Sequence, residues 1–123
     1  MSNPQRLRFP VTTDTGGDGS FTSGPCYGLV MQIRSDTGIW DTGVDVRLEA
    51  LNDTGSPITL AHYTNVGGAA WTRVPRMLSF DTGGAAVGDQ YPIVAHDKLR
   101  LTVTQSDGVT GALTGTFYVW MGW

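Results

Sequence analysis

The triplet Asp-Thr-Gly occurs five times in this chain of 123 residues, and its repetition limits what the chain can fold into. Aspartate side chains hydrogen-bond the backbone two residues on, and glycine tolerates the positive φ of tight turns. Most copies stand between or beside stretches in which apolar and polar residues alternate. We therefore interpret the triplet as the corner marker of a compact β domain. The copies are Asp14–Gly16, Asp36–Gly38, Asp41–Gly43, Asp53–Gly55 and Asp81–Gly83.

Alternating residues predict the strands between these corners. Val44 to Leu51 and Lys98 to Thr104 show the pattern most clearly, because a strand places alternate side chains on opposite faces. The chain has only one Glu and one Lys, and so it is poor in these two residues that favour helices, whereas its Thr, Val and aromatic residues favour strands. We predict an all-β fold: a single-domain β-sandwich over residues 1–123, with a jelly roll of about eight strands as the expected arrangement. Residues 1–6 are predicted to form an extended N-terminal arm.

Local composition sets three further boundaries. Thr13 to Gly24 is predicted to be a loop because it is rich in Gly, Asp, Ser and Thr, with a short hairpin around Ser20-Phe21-Thr22 as the alternative. His96-Asp97 is predicted to be a turn between two short strands. Pro75 has no N–H to donate, so the extended stretch from Trp71 to Phe80 must lie at a sheet edge or be interrupted there.

Charge and cysteine content narrow the classes of partner. A net charge of −3 and a pI near 5.0 argue against a general nucleic-acid binder, which normally has a basic face. The single Cys26 cannot form an internal disulfide, and its apolar surroundings predict a buried, unreactive thiol. No apolar run approaches membrane-spanning length. We therefore expect neither nucleic acid nor membrane as a partner, and a chain that is kept in a reducing cytoplasm or assembled there into something larger.

An aspartic protease is the first catalytic alternative. In dimeric proteases of this kind, one such aspartate from each subunit shares a proton with the other. Asp53, which follows Ala50-Leu51, is the best match, but Asn52 occupies a position that is normally apolar. We expect a protein without catalytic activity, and a protease that uses Asp53 remains the less favoured alternative.

Metal and cofactor motifs are weak in this sequence. Asp14 to Gly19 offers oxygen ligands but lacks the third ligand and the terminal Glu of a calcium loop. His62 and His96 do not have the spacing of zinc ligands, and no phosphate-binding or dinucleotide motif is present. We predict no metal and no cofactor. The tryptophans leave a glycan-binding sandwich open, although packing in a core or an interface is their more frequent use.

Two segments are predicted to bind a partner chain. The C-terminal strand is apolar on both faces, so its second face is covered either by its own domain or by another chain. We predict another chain, bound through Tyr118, Trp120 and Trp123. The second segment is Trp71 to Arg76, where proline blocks strand addition and arginines reach carboxylates. Its predicted contacts are Arg73, Pro75 and Arg76, with an intrachain ion pair of Arg76 as the alternative.

The order of these features resembles a group of small tailed-phage virion proteins. The resemblance extends from about Leu7 to the end, and it implies a jelly-roll-like capsid cement or decoration protein without catalytic residues. The implied partners are the major capsid protein and further copies of the chain, as a dimer or trimer on the capsid surface. A tail or receptor-binding module that recognises glycan is the alternative. The matching segments are Gly38–Val46, Thr54–Leu60, Trp71–Arg76, Pro92–Val94, Lys98–Val103 and Thr114–Val119.

Overall fold

The fold is all-β. A computed structural model describes residues 5–36, 40, 43–52, 56–67, 69–80, 83, 86–104 and 113–122, and no helix occurs among them. The prediction of an all-β, single-domain β-sandwich is confirmed, and the jelly-roll connectivity stays a prediction. The strands are β1 (Gln5–Thr12), β2 (Gly19–Ser35), β3 (Asp45–Leu51), β4 (Ile58–Tyr63), β5 (Trp71–Arg73), β6 (Met77–Phe80), β7 (Ala86–Gln90), β8 (Ile93–Thr104) and β9 (Thr114–Gly122).

The long strand β2 joins two parts of one antiparallel network. Its amino-terminal part, from Gly19 to Leu29, pairs with β8, which continues to β3 and β4. Its carboxyl-terminal part, from Leu29 to Ser35, pairs with β9, which continues to β1. The short strand β5 pairs with the last residues of β2 on the other edge. The hairpin of β6 and β7 forms a separate two-stranded ladder.

Irregular pairing bends β2 where it passes from one part to the other. The register shifts between Thr22 and Pro25, between Cys26 and Gly28, and again before Gln32. Extra residues of this kind bend and twist a strand. Gly28 has a φ of 125°, and a Cβ placed there would lie 2.6 Å from the carbonyl oxygen of Gly122. This crossing of β2 and β9 therefore requires glycine.

Side chains from both parts of the sheet share one core. Trp40 stacks on Phe117 with ring centroids 5.8 Å apart, and Phe9 meets Phe21 edge to face at 5.8 Å. Burying an apolar side chain of this size contributes roughly 1.5–3 kcal/mol. The fully buried positions include Phe9, Val11, Val30, Ile33, Trp40, Val46, Leu48, Leu99, Leu101, Val103, Phe117 and Val119.

The first triplet makes the corner that its sequence predicts. The Asp14 carboxylate oxygen Oδ1 accepts hydrogen bonds from the N–H of Gly16 at 2.8 Å and of Asp18 at 3.1 Å. The positive φ of this corner lies at Gly17 (85°), and the triplet glycine Gly16 does not have one. The prediction that the triplet glycine supplies the positive φ is therefore wrong at this corner. The other four triplets lie wholly or partly outside the described residues.

Several predicted boundaries are corrected by strand pairing. Gly19 to Gly24 belongs to β2, because its neighbour β8 satisfies the backbone despite a loop-like composition. For the same reason β8 runs straight through His96-Asp97. Gln5 and Arg6, expected in an arm, lie in β1, and residues 1–4 are outside the described part. The interruption at Pro75 is confirmed, since β5 ends at Arg73 and β6 begins at Met77.

Candidate partner interface

The outward face of β9 carries two aromatic rings. Phe117, Val119 and Met121 point into the core and are fully buried, whereas Tyr118 and Trp120 alternate with them and are half-buried. The strand is hydrogen-bonded on both edges, by β1 and by β2. The domain therefore covers the inner face of β9 completely and leaves its aromatic outer face partly open.

Arginines from the neighbouring strands surround these rings. Arg6 of β1 and Gln32 of β2 are the register partners of Trp120, and Arg8 and Arg34 are those of Tyr118. The cations thus come from both sides of β9. We call the outward side chains of β1, β9 and the Gln32–Arg34 segment the aromatic–arginine face.

The guanidinium groups lie over the rings. The Arg6 Cζ is 4.8 Å from the Tyr118 ring centroid, and the Arg34 Cζ is 5.2 Å from that of Trp120. The two ring centroids are 6.0 Å apart. Exposed cation–π contacts are worth about 0.5–1 kcal/mol. These cation–π contacts are weak. A partner that contacts both the rings and the guanidinium groups more favourably can therefore displace the arginine side chains.

An apolar strip continues from this face along β2. Tyr27 and Ile93 are 53% and 61% exposed, which is high for large apolar side chains. Leu29 connects them to β9, because it pairs with Ile93 on one edge and with Gly122 on the other. Contiguous exposed apolar surface with a polar rim is typical of protein interfaces.

Charge is segregated on this protein. The aromatic–arginine face holds Arg6, Arg8 and Arg34, and none of its described residues is acidic. The other five of the eight Lys and Arg residues share the rest of the chain with all eleven acids. A locally positive face on a negatively charged protein favours an acidic partner surface.

The predicted contacts at the β5 end lie apart from this face. Arg73 and Arg76 are exposed, and their guanidinium carbons lie 5.9 Å and 4.3 Å from the ring centroids of Trp71 and Tyr91. Neither forms an ion pair with a described residue. Pro75 is buried in its own chain, where its segment shares a cavity of about 180 Å³ with β4. The exposed apolar side chain of this segment is that of Val74, and the predicted partner contacts of Arg73, Pro75 and Arg76 stay predictions.

Other candidate residues separate into three groups. Trp123, Asp53 and Asp81 lie outside the described residues, so their predicted roles stay predictions. Trp40 is buried in the core, and no glycan can stack on it. Within the described part of the chain, no group of three or more His, Cys, Asp or Glu side chains could hold a metal ion. The same residues contain no helix able to cross a bilayer.

The thiol of Cys26 is buried, as predicted. Burial raises its pKa above the ordinary value, a hydrogen bond with Ser23 opposes the shift, and Asp97 adds to it. The thiol donates to the carbonyl oxygen of Asp97 at 3.4 Å. A protonated, enclosed thiol is a poor nucleophile.

No protein-family model, curated protein or solved structure matches this chain. The site must therefore be judged on its own geometry. Sequence reasoning found the rings of β9 but missed Arg34, Tyr27 and Ile93. The register shift before Gln32 breaks the alternation of β2, so only its pairing with β9 shows that Arg34 lies beside Tyr118 and Trp120.

Proposed function

We propose that the chain is a virion structural protein without catalytic activity, which binds an assembled capsid and stabilises it. The observation that carries the proposal is the aromatic–arginine face, where Tyr118 and Trp120 remain partly exposed between cations of both neighbouring strands. The resemblance to small tailed-phage virion proteins supports the same function.

The composition of the face suits a protein partner. Interfaces typically bury aromatic and arginine anchors at their centre. Completing the burial of these two partly exposed rings contributes at most roughly 1 kcal/mol each, about a third of the value for a fully exposed aromatic side chain. Arginine also binds carboxylates through two parallel hydrogen bonds. We therefore expect the capsid to present carboxylates around an apolar patch.

Binding of this kind stabilises a shell by mass action. A ligand that binds the assembled state and not the free subunits shifts the equilibrium towards assembly. A rigid, turn-rich domain loses little conformational freedom when it docks. Association of the chain with itself, as a dimer or trimer, would place several such faces on one symmetry axis of the shell.

The proposal is tested with empty shells of the phage that encodes the chain. Purified protein is mixed with these shells and sedimented, and the bound copies per capsid subunit are counted as the protein concentration rises. We expect saturation at a simple ratio and a higher temperature of shell disruption. If the protein remains in the supernatant and fractionates with tails instead, the capsid function is wrong.

A further inference from the structure

A polar groove crosses the outer face of the part of the sheet in which the amino-terminal half of β2 lies beside β8, β3 and β4. Residues of all four strands line it, and its volume is about 580 Å³. Every side chain that lines it is polar or charged. This groove shares no residue with the aromatic–arginine face.

Strand register assembles the groove from separate segments. Arg47 of β3 lies between Thr102 of β8 and His62 of β4. Two residues further along β3, Glu49 lies opposite Arg100 of β8. Neighbouring strands are about 4.8 Å apart, so these side chains form adjacent rows of donors and acceptors.

An ion pair fixes the floor of the groove. The Arg100 Nη2 donates to Glu49 Oε1 at 3.1 Å, and the Glu49 side chain is only 12% exposed. The Nε of Arg100 is buried without a hydrogen-bond partner among the described residues. Such a pair is costly to desolvate, and an outward sheet position could hold a fully solvated side chain instead. The pair nevertheless holds both charged groups in place in the groove.

The second carboxylate is also positioned. Asp45 Oδ1 accepts a hydrogen bond from the backbone N–H of Asn65 at 3.2 Å, which ties β3 to the turn after β4. The groove thus presents two positioned carboxylates and the paired guanidinium group of Arg100, and its lining adds Arg47 and the hydroxyl of Ser20. Preorganised polar groups of this type are what gives a small-molecule site its specificity.

The charges of the groove balance, and this selects the ligand class. Arg47 and Arg100 line it together with Asp45 and Glu49. An anion would meet the carboxylates and a cation would meet the guanidinium groups. A neutral ligand with many hydroxyls can donate to the former and accept from the latter. The volume is in the usual range for small-molecule sites, about 300–1,000 Å³.

We propose that this groove binds a neutral saccharide. The site differs from the one that the tryptophans suggested, because it recognises hydroxyl groups and contains no aromatic platform. It does not depend on the capsid function, since the two surfaces are built from different residues. A particle-bound copy could hold capsid and saccharide at once.

The test is a titration followed through the backbone amides of the isotopically labelled protein by NMR. An array of neutral and acidic oligosaccharides first selects the probe, alongside lactose, maltose and cellobiose. We expect a neutral saccharide to shift the amides of Arg47, His62 and Thr102. Inorganic phosphate and acetate are the anionic probes and should leave these amides in place.

Two variants tie binding to the groove. Arg47→Ala removes an exposed side chain, and Glu49→Gln removes the charge that fixes Arg100. Each should weaken saccharide binding roughly tenfold or more, since hydrogen bonds to charged groups are lost. Lys98→Ala is the matched control, on the outer side of β8 but outside the groove, and should bind normally. Arg47→Ala alone decides the matter if Glu49→Gln fails to fold.

Three results would overturn the proposal. These are a folded wild-type protein that binds no saccharide on the array or in the titration, equal shifts with phosphate, and an Arg47→Ala variant with unchanged affinity. Sedimentation of Arg47→Ala with shells separates the two functions. Normal capsid binding with lost saccharide binding is the expected combination.

Discussion

Arg34 lies over the ring of Trp120 at 5.2 Å, although its register partner across the strands is Tyr118. Arg6 makes the reciprocal diagonal contact, since it pairs with Trp120 and lies over Tyr118 at 4.8 Å. Diagonal neighbours on a sheet are within reach of long side chains. The four side chains therefore cover one another in the free protein, and a partner must exchange these contacts for its own.

The positive charges of Arg6 and Arg34 on the aromatic–arginine face predict that capsid binding is sensitive to salt. Arg6→Gln combined with Arg34→Gln should weaken capsid binding and flatten its dependence on ionic strength, because charges that pair with acidic groups are lost. Exposed charges are largely screened beyond about 10 Å at 0.1 M salt. The measurement is co-sedimentation with shells at low and high salt. Lys98→Gln, an exposed cation outside both predicted partner segments, is the control. A double variant with the salt dependence of the wild type would show that these cations do not meet acidic groups.

The crossing of β2 and β9 predicts a specific sensitivity to side-chain addition. Gly28→Ala should lower the free energy of unfolding by about 1–3 kcal/mol, because alanine is strained at a φ of 125° and its Cβ approaches the Gly122 carbonyl. Gly24→Ala lies in the same strand with nothing within 4 Å of the added Cβ. Its effect should stay within about 0.5 kcal/mol, as for ordinary surface changes. Urea unfolding of both variants tests the comparison, and equal losses would contradict it.

Two buried acids predict a loss of stability in alkali. Burial raises the pKa of Cys26 above 9.0 and that of Tyr63 above 10.0, the latter opposed by Arg73. The folded protein holds these protons more tightly than the unfolded chain does. The stability that they contribute is thus complete below pH 9.0 and is lost as the pH rises through the raised values.

The variant Tyr63→Phe isolates one of these groups. The buried hydroxyl of Tyr63 has no hydrogen-bond partner among the described residues, so its removal should change stability little at pH 7. Above pH 10.0 the variant should lose less stability than the wild type. Urea unfolding across this pH range gives the slopes. Identical slopes would mean that Tyr63 does not titrate differently in the two states.

Local patterns in the sequence predicted the strands with strict alternation and the interruption at Pro75. They failed for Gly19 to Gly24 and for His96-Asp97, where a neighbouring strand stabilises an extended backbone that local composition disfavours. The half-open aromatic face was visible in the alternation of β9. The cation–π contacts of Arg6 and Arg34 and the polar groove were not, because both depend on register between strands far apart in the chain.

The most direct measurement of the central claim is the capsid occupancy of Tyr118→Ala combined with Trp120→Ala. Circular dichroism should show the same strand signal as the wild type, because both side chains point away from the core. Losing up to roughly 1 kcal/mol of partner burial per ring should weaken binding about tenfold. Ile58→Ala, which truncates a 49% exposed side chain of β4, should bind like the wild type. A folded double variant that occupies shells at the wild-type concentration would contradict the account.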